Sequence, residues 1–160
     1  MPLPDEVVAA LLARGATVAT AESLTGGAVC SALVSVPGAS AVVRGGIVAY
    51  TADMKARLLG VDPALIAAAG VVSGEVAEAM ARGVREATGA TLGVATTGVA
   101  GPEPHGGAPV GRVHVAVSRS AGETSSRHDI TGGREAVRAG AVDAALALVL
   151  ESLAGDVTLM

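Results

Sequence analysis

The sequence predicts an α/β fold: a single layered domain over residues 1–160, with a mixed β-sheet and helices on both of its faces. Three observations predict it. Short apolar stretches alternate with helix-patterned stretches along most of the chain, as in parallel strands joined by helical crossovers. Two later strand patterns flank the turn Ala121-Gly122-Glu123, which adds an antiparallel pair and makes the sheet mixed. A chain of 160 residues is also long enough to bury roughly 68–70% of its unfolded surface in one core.

Each element has its own signal. Asp5 to Leu12 carries apolar residues at helical spacing, and Gly15 stops it. Thr17 to Glu22 reads as a strand, and Gly26-Gly27 opens a helix over Ala28 to Ser35 that Pro37-Gly38 ends. Ile47 to Thr51 reads as a second strand and Asp53 to Leu59 as a short helix closed by Gly60. Asp62-Pro63 is an N-cap and first-turn pair for Ala64 to Ala69. Ser73 caps the next helix, where Val76, Met80 and Val84 form an apolar stripe. Thr91 to Thr96 is a third strand, and residues 103–109 form an exposed loop. Val113, Val115 and Val117 alternate with Arg112, His114 and Ala116, and Thr124 to Ile130 is the partner strand. A long helix runs from Arg134 to Leu153; its charges thin out after Asp143, which points to burial in the core or in a homo-oligomer interface.

Composition narrows the function. There is no Phe or Trp and one Tyr, so Ala, Val and Leu must fill the core. The 22 glycines are twice the usual share of ~7%, which implies tight turns and close backbone approaches. A net charge of −4, with a pI near 5.3 and no stacking aromatics, argues against a nucleic-acid partner. The uncharged run from Ser23 to Val43 holds four Ser, three Gly and a Pro-Gly break, so no membrane span is expected. The lone Cys30 and an acidic start (Asp5, Glu6) without an export signal fit a cytoplasmic protein.

Two segments end a strand in small hydroxylated residues followed by glycines: 21–27 (Ala-Glu-Ser-Leu-Thr-Gly-Gly) and 95–102 (Ala-Thr-Thr-Gly-Val-Ala-Gly-Pro). Loops at the carboxyl ends of strands are where open α/β sheets bind ligands. Free N–H groups at a helix start suit an anion or an oxyanion. Ser23 and Thr25 acting only as helix caps is the plainer reading, and spacing alone favours it. Lys55 is the only lysine in the chain, just after a strand; a solvated surface lysine is the ordinary alternative to a base. Arg134 and Arg138 lie one turn apart and suit a phosphate or carboxylate, as well as a solvated helix face. The three histidines, His105, His114 and His128, show no metal-ligand spacing, and no metal or cofactor is expected.

These residues carry a resemblance. Residues 21–27 resemble the A-E-S-C-T-G-G signature of the CinA C-terminal-domain family, the nicotinamide-nucleotide amidases. Gly46 to Tyr50, with Lys55 beyond, is similar to its second block; residues 97–102 to its S/T-G-I-A-G-P block. Pro109-Val110-Gly111 and the Gly133-Arg134 and Arg138 set resemble K-P-V-G and G-D-R-x-x-V-R. The blocks occur in order along nearly the whole chain. The resemblance implies a CinA C-terminal-domain-like fold and hydrolysis of the carboxamide of nicotinamide mononucleotide (NMN) to nicotinate mononucleotide and ammonia. It implies Ser23 as nucleophile and Lys55 as base, with Tyr50 and Thr97 supporting the pair. Thr25, Gly26, Gly27, Gly98 and Gly101 would contact substrate, and Arg134 or Arg138 its phosphate. Leu24, Ala52, Ala108 and Gly133 depart from the family pattern. Two rival expectations are a nucleotide-binding or regulatory module of low activity, and a serine hydrolase of another small amide.

Overall fold

The computed structural model describes residues 3–155; residues 1–2 and 156–160 of the expected domain lie outside it. Helix α1 (Leu3–Arg14) leads into strand β1 (Val18–Glu22), helix α2 (Ala28–Val34) and, after a single 3₁₀ turn, strand β2 (Val43–Val48). Three helices follow: α3 (Ala52–Leu59), α4 (Pro63–Ala69) and α5 (Gly74–Thr88). Strands β3 (Leu92–Gly98), β4 (Arg112–Arg119) and β5 (Gly122–Asp129) and the long helix α6 (Arg134–Ala154) complete the chain. The sheet order is β2-β1-β3-β4-β5. β1 pairs in parallel with β2 and β3, while β3–β4 and β4–β5 are antiparallel, so the sheet is mixed as expected.

The two faces are packed differently. On one, α1, α2 and α6 bury Leu11, Leu33, Val137 and Leu146 against Val18, Val94, Val113 and Val115. On the other, α5 lays Val76, Met80 and Val84 over a floor of alanines, Ala19, Ala21, Ala95 and Ala116. Without large aromatics, that face closes by bringing backbones together. A Cβ on Gly93 would stand 2.0 Å from the Ala81 carbonyl oxygen, and one on Gly83 2.0 Å from that of Leu59. These contacts press α5 onto the sheet and onto the end of α3.

Topology locates the site. From β1 the chain crosses by α2 to β2 on one side, and later returns to β3 on the other. The loops after β1 and β3 therefore diverge at a switch point, where open α/β sheets form a crevice.

One expectation changes, and one open alternative is decided. The second strand is Val43–Val48, four residues earlier than Ile47 to Thr51. Gly45-Gly46 looks like a break in the sequence but lies inside the strand. A Cβ on Gly46 would meet Thr20 Oγ1 at 2.4 Å and Cys30 Sγ at 3.2 Å, so only glycine fits beneath α2. The uncharged end of α6 is covered within the chain: Val149 and Leu153 join the α1-side core. It supplies no argument for a homo-oligomer.

Replacing Gly93 by Ala should destabilise the fold by about 1–3 kcal/mol, as overpacking against rigid backbone does. Gly155→Ala, with nothing within 4 Å and an ordinary helical φ of −61°, should stay within about 0.5 kcal/mol. Chemical denaturation of both variants checks the contrast.

Candidate active site

Ser23 is the first residue beyond β1, and its N–H donates to the Thr96 carbonyl at 3.2 Å, which carries the ladder one step past the strand. Lys55 arrives from the opposite wall. After β2 the chain passes through Ala49 and Tyr50; Thr51 Oγ1 then accepts the Met54 N–H at 3.3 Å and starts α3. That cap sets Lys55 one turn into the helix, pointing inward with only 1% of its surface exposed.

The two side chains meet. Lys55 Nζ lies 2.9 Å from Ser23 Oγ, 2.9 Å from the Ala49 carbonyl oxygen and 3.0 Å from that of Tyr50. None of the three partners carries a charge. Burial without a compensating anion pulls the lysine down from 10.5 to about 8. A neutral amine has two N–H donors and one lone pair. Here Nζ donates to all three oxygens, and the Ser23 hydroxyl donates to the Tyr50 carbonyl at 3.4 Å; once deprotonated, the amine keeps two donors for the carbonyls and can turn its lone pair to the hydroxyl proton. A hydroxyl within hydrogen-bond reach of an amine that can lose its proton is the contact that activating a serine requires.

A cavity of about 350 Å³ opens over the pair. Its walls include Tyr50 and Ala52 on one side, Val71 and Val72 on another, and the loop from Thr97 to Gly101 opposite, with Arg134 at the rim. Glu103 also lines it, a residue the sequence did not single out, as does His105, read from the sequence only as a loop histidine. Gly101 has φ +92° and precedes a cis peptide bond to Pro102.

The remaining candidates divide. Tyr50 meets the dyad through its backbone carbonyl; its ring is 59% exposed, and its hydroxyl accepts from Arg134 Nη2 at 3.2 Å. Thr97 Oγ1 donates to the Val71 carbonyl at 2.9 Å, tying β3 to the segment before α5, and is not hydrogen-bonded to the dyad. Thr25 Oγ1 pairs with Thr96 Oγ1 at 2.8 Å beneath the Ser23 turn. Arg134 also donates to the Gly101 carbonyl and keeps further N–H groups facing the cavity rim. Arg138 lies outside the cavity lining and donates to the Leu24 and Thr25 carbonyls at 2.9 and 3.3 Å, bracing that turn. Gly98 and Gly101 line the cavity; Gly26 and Gly27 do not. Neither Ser23 nor Thr25 caps α2, whose N-terminal N–H groups turn to Glu22.

A hydrogen-bonded serine–lysine pair buried at the switch point of a doubly covered mixed sheet marks the candidate site of this α/β domain. The model of the CinA C-terminal domain matches residues 1–153, and the chain belongs to that family. It is 50% identical over 153 residues to a CinA-like protein of Frankia casuarinae, covering 96% of this chain and 35% of that protein. A putative competence-damage inducible protein of Desulforamulus reducens is 45% identical over 145 residues, which are 91% of this chain and 35% of that one. The chain thus spans about a third of the length of these curated relatives. Among solved structures, a CinA superfamily protein of Klebsiella pneumoniae superposes with a TM-score of 0.92 at 35% identity, covering 96% of each chain. A competence/damage inducible protein of Agrobacterium tumefaciens gives 0.88 at 37% identity, with 94% and 93% covered. No helix among the described residues is long and apolar enough to cross a membrane.

The lysine's burial has a thermodynamic signature. Its folded-state value lies below the unfolded one, so between pH 8 and 10.5 the unfolded chain holds a proton that the folded chain has released. Relative to Lys55→Met, wild type should gain about 3 kcal/mol across that window as pH rises. Denaturant titrations at stepped pH measure it, and a flat difference would mean that the folded lysine stays protonated.

Proposed function

We propose that the chain hydrolyses the carboxamide of NMN to nicotinate mononucleotide and ammonia, with Ser23 as nucleophile and Lys55 as base. The observation that carries this reading is the 2.9 Å contact between Nζ and Oγ in a buried setting without a counter-ion. The family membership and the cationic rim at Arg134 support the substrate choice.

The proposed reaction runs in two stages. Neutral Lys55 takes the Oγ proton as Ser23 attacks the amide carbon, and the carbonyl oxygen gains the negative charge. Leu24, Ala100 and Gly101 line the cavity, and their N–H groups donate no hydrogen bond among the described residues. We assign these three as oxyanion donors: Ala100 and Gly101 belong to the Gly98–Gly101 loop expected to contribute, and Leu24 takes the place of Gly26 and Gly27, whose N–H groups are bonded within the protein. The Lys55 ammonium then returns its proton to the departing nitrogen, which leaves as ammonia and gives an acyl ester on Ser23. Water hydrolyses the ester, losing a proton to Lys55, and the proton passes back to Oγ. Arg134 holds the phosphate at the rim, and the apolar walls, Val71 and Val99, take the ring.

Ammonia release from NMN tests the assignment. Ser23→Ala and Lys55→Ala should each lower kcat by at least about 10³-fold, and undiminished turnover in either removes the dyad. In wild type kcat/KM should climb with pH to a plateau above a midpoint near 8, because the base acts when neutral. Arg134→Ala should raise KM about tenfold with a smaller change in kcat, since it holds a remote phosphate. Tight NMN binding without ammonia would favour the regulatory module, for which Ala52 in the cavity wall is the structural argument. A panel of other small amides separates the remaining alternative.

A further inference from the structure

The strongest unassigned chemistry lies beneath the nucleophile, at Glu22. The alternation of β1 turns Thr20 and Glu22 to the α2 face, where the Glu22 carboxylate is 1% exposed. Oε1 accepts the N–H groups of Gly27 at 3.2 Å and Val29 at 2.8 Å; Oε2 accepts the Cys30 N–H at 3.0 Å and the Thr20 hydroxyl at 3.1 Å. The intervening N–H groups are occupied too, Gly26 on the Ser23 carbonyl at 3.1 Å and Ala28 on that of Thr25 at 3.0 Å. Five consecutive donors, residues 26–30, thus bond within the protein. The helix end that would ordinarily receive an anion is filled by the chain's own carboxylate.

We propose that Glu22 is a positioning residue for Ser23. Its carboxylate fastens the residue before the nucleophile to the helix after it, and so closes the turn over 23–27. That turn contains two glycines with positive φ, Gly26 and Gly27, and has little stiffness of its own. With the ends of the turn fixed, Oγ stays within hydrogen-bond reach of Nζ. Glu22 does not line the cavity, so it acts on the nucleophile's placement and leaves substrate affinity to other residues. A displacement near 1 Å at a reacting atom costs about 10²-fold in rate.

The inference rests on the reading of Ser23 as nucleophile, and its test keeps the two apart. Glu22→Gln keeps the shape but turns an amide NH₂ toward groups that donate. Its kcat for NMN should fall about 10–100-fold while KM stays within about threefold. An unchanged kcat, or a rise in KM matching the fall in kcat, overturns the proposal. If that variant does not fold, Thr20→Val decides, because it removes one of the four donors and should lower kcat about twofold to fivefold; an unchanged kcat is contrary. A fluorophosphonate supplies a readout independent of the substrate: Oγ bonds to phosphorus, fluoride leaves, and Lys55 takes the proton. If wild type releases no ammonia from NMN, the substrate reading fails, and slower labelling of Ser23 in Glu22→Gln still upholds the positioning role. Equal labelling rates overturn it, and a wild type that neither labels nor turns over overturns both.

Discussion

A lysine amine without a charged partner, held between two carbonyls and a serine hydroxyl, is the constraint on which the rest of the molecule turns. Burial makes an ammonium less favourable there and lowers the lysine to about 8, which brings the neutral amine, the form able to take a hydroxyl proton, within reach of physiological pH. Everything that places the two groups has to be rigid. β1 and β3 fix Ser23 through the sheet ladder, and the Thr51 cap fixes the first turn of α3. The close approach of Gly83 to the Leu59 carbonyl seats the far end of that helix on α5. A sheet floor of alanine and glycine is what lets α5 come so near.

The motifs made the two halves of the site legible: a hydroxylated, glycine-rich end to β1, a similar end to β3, and a solitary lysine after β2. The helical stripe of Val76, Met80 and Val84 and the alternation of Val113, Val115 and Val117 placed both layers on the sheet as the structure has them. β2 was misplaced because Gly45-Gly46 carries the local signal of a break. The cause of those glycines, Thr20 and Cys30 pressing from β1 and α2, is distant in sequence. Tyr50 and Thr97 were expected to support the dyad through hydrogen bonds. Tyr50 does so with its carbonyl, and Thr97 does not. Backbone contacts leave no trace in residue type, so no pattern could have revealed them.

Glu22 shows the same lesson from the other direction. The glycine-rich turn before α2 invited an anion from outside, yet one was already present a few residues upstream. Its signal was available: an acidic residue at the end of an otherwise apolar strand must find donors when buried, and the nearest free donors are the first N–H groups of the next helix. The consequence reaches the substrate end. With residues 26–30 bonded internally, the N–H groups left open at the cavity include those of Leu24, Ala100 and Gly101, beside the Arg134 guanidinium.

Because Lys55 is the only lysine in the sequence, its ionisation can be watched without assignment. Labelling the chain with lysine carrying ¹³C at Cε and ¹⁵N at Nζ gives a single side-chain resonance to follow through a pH titration. The account predicts a midpoint near 8 that moves when Ser23 is replaced by Ala. A midpoint at the ordinary value near 10.5, indifferent to that substitution, would contradict a neutral amine poised on the serine.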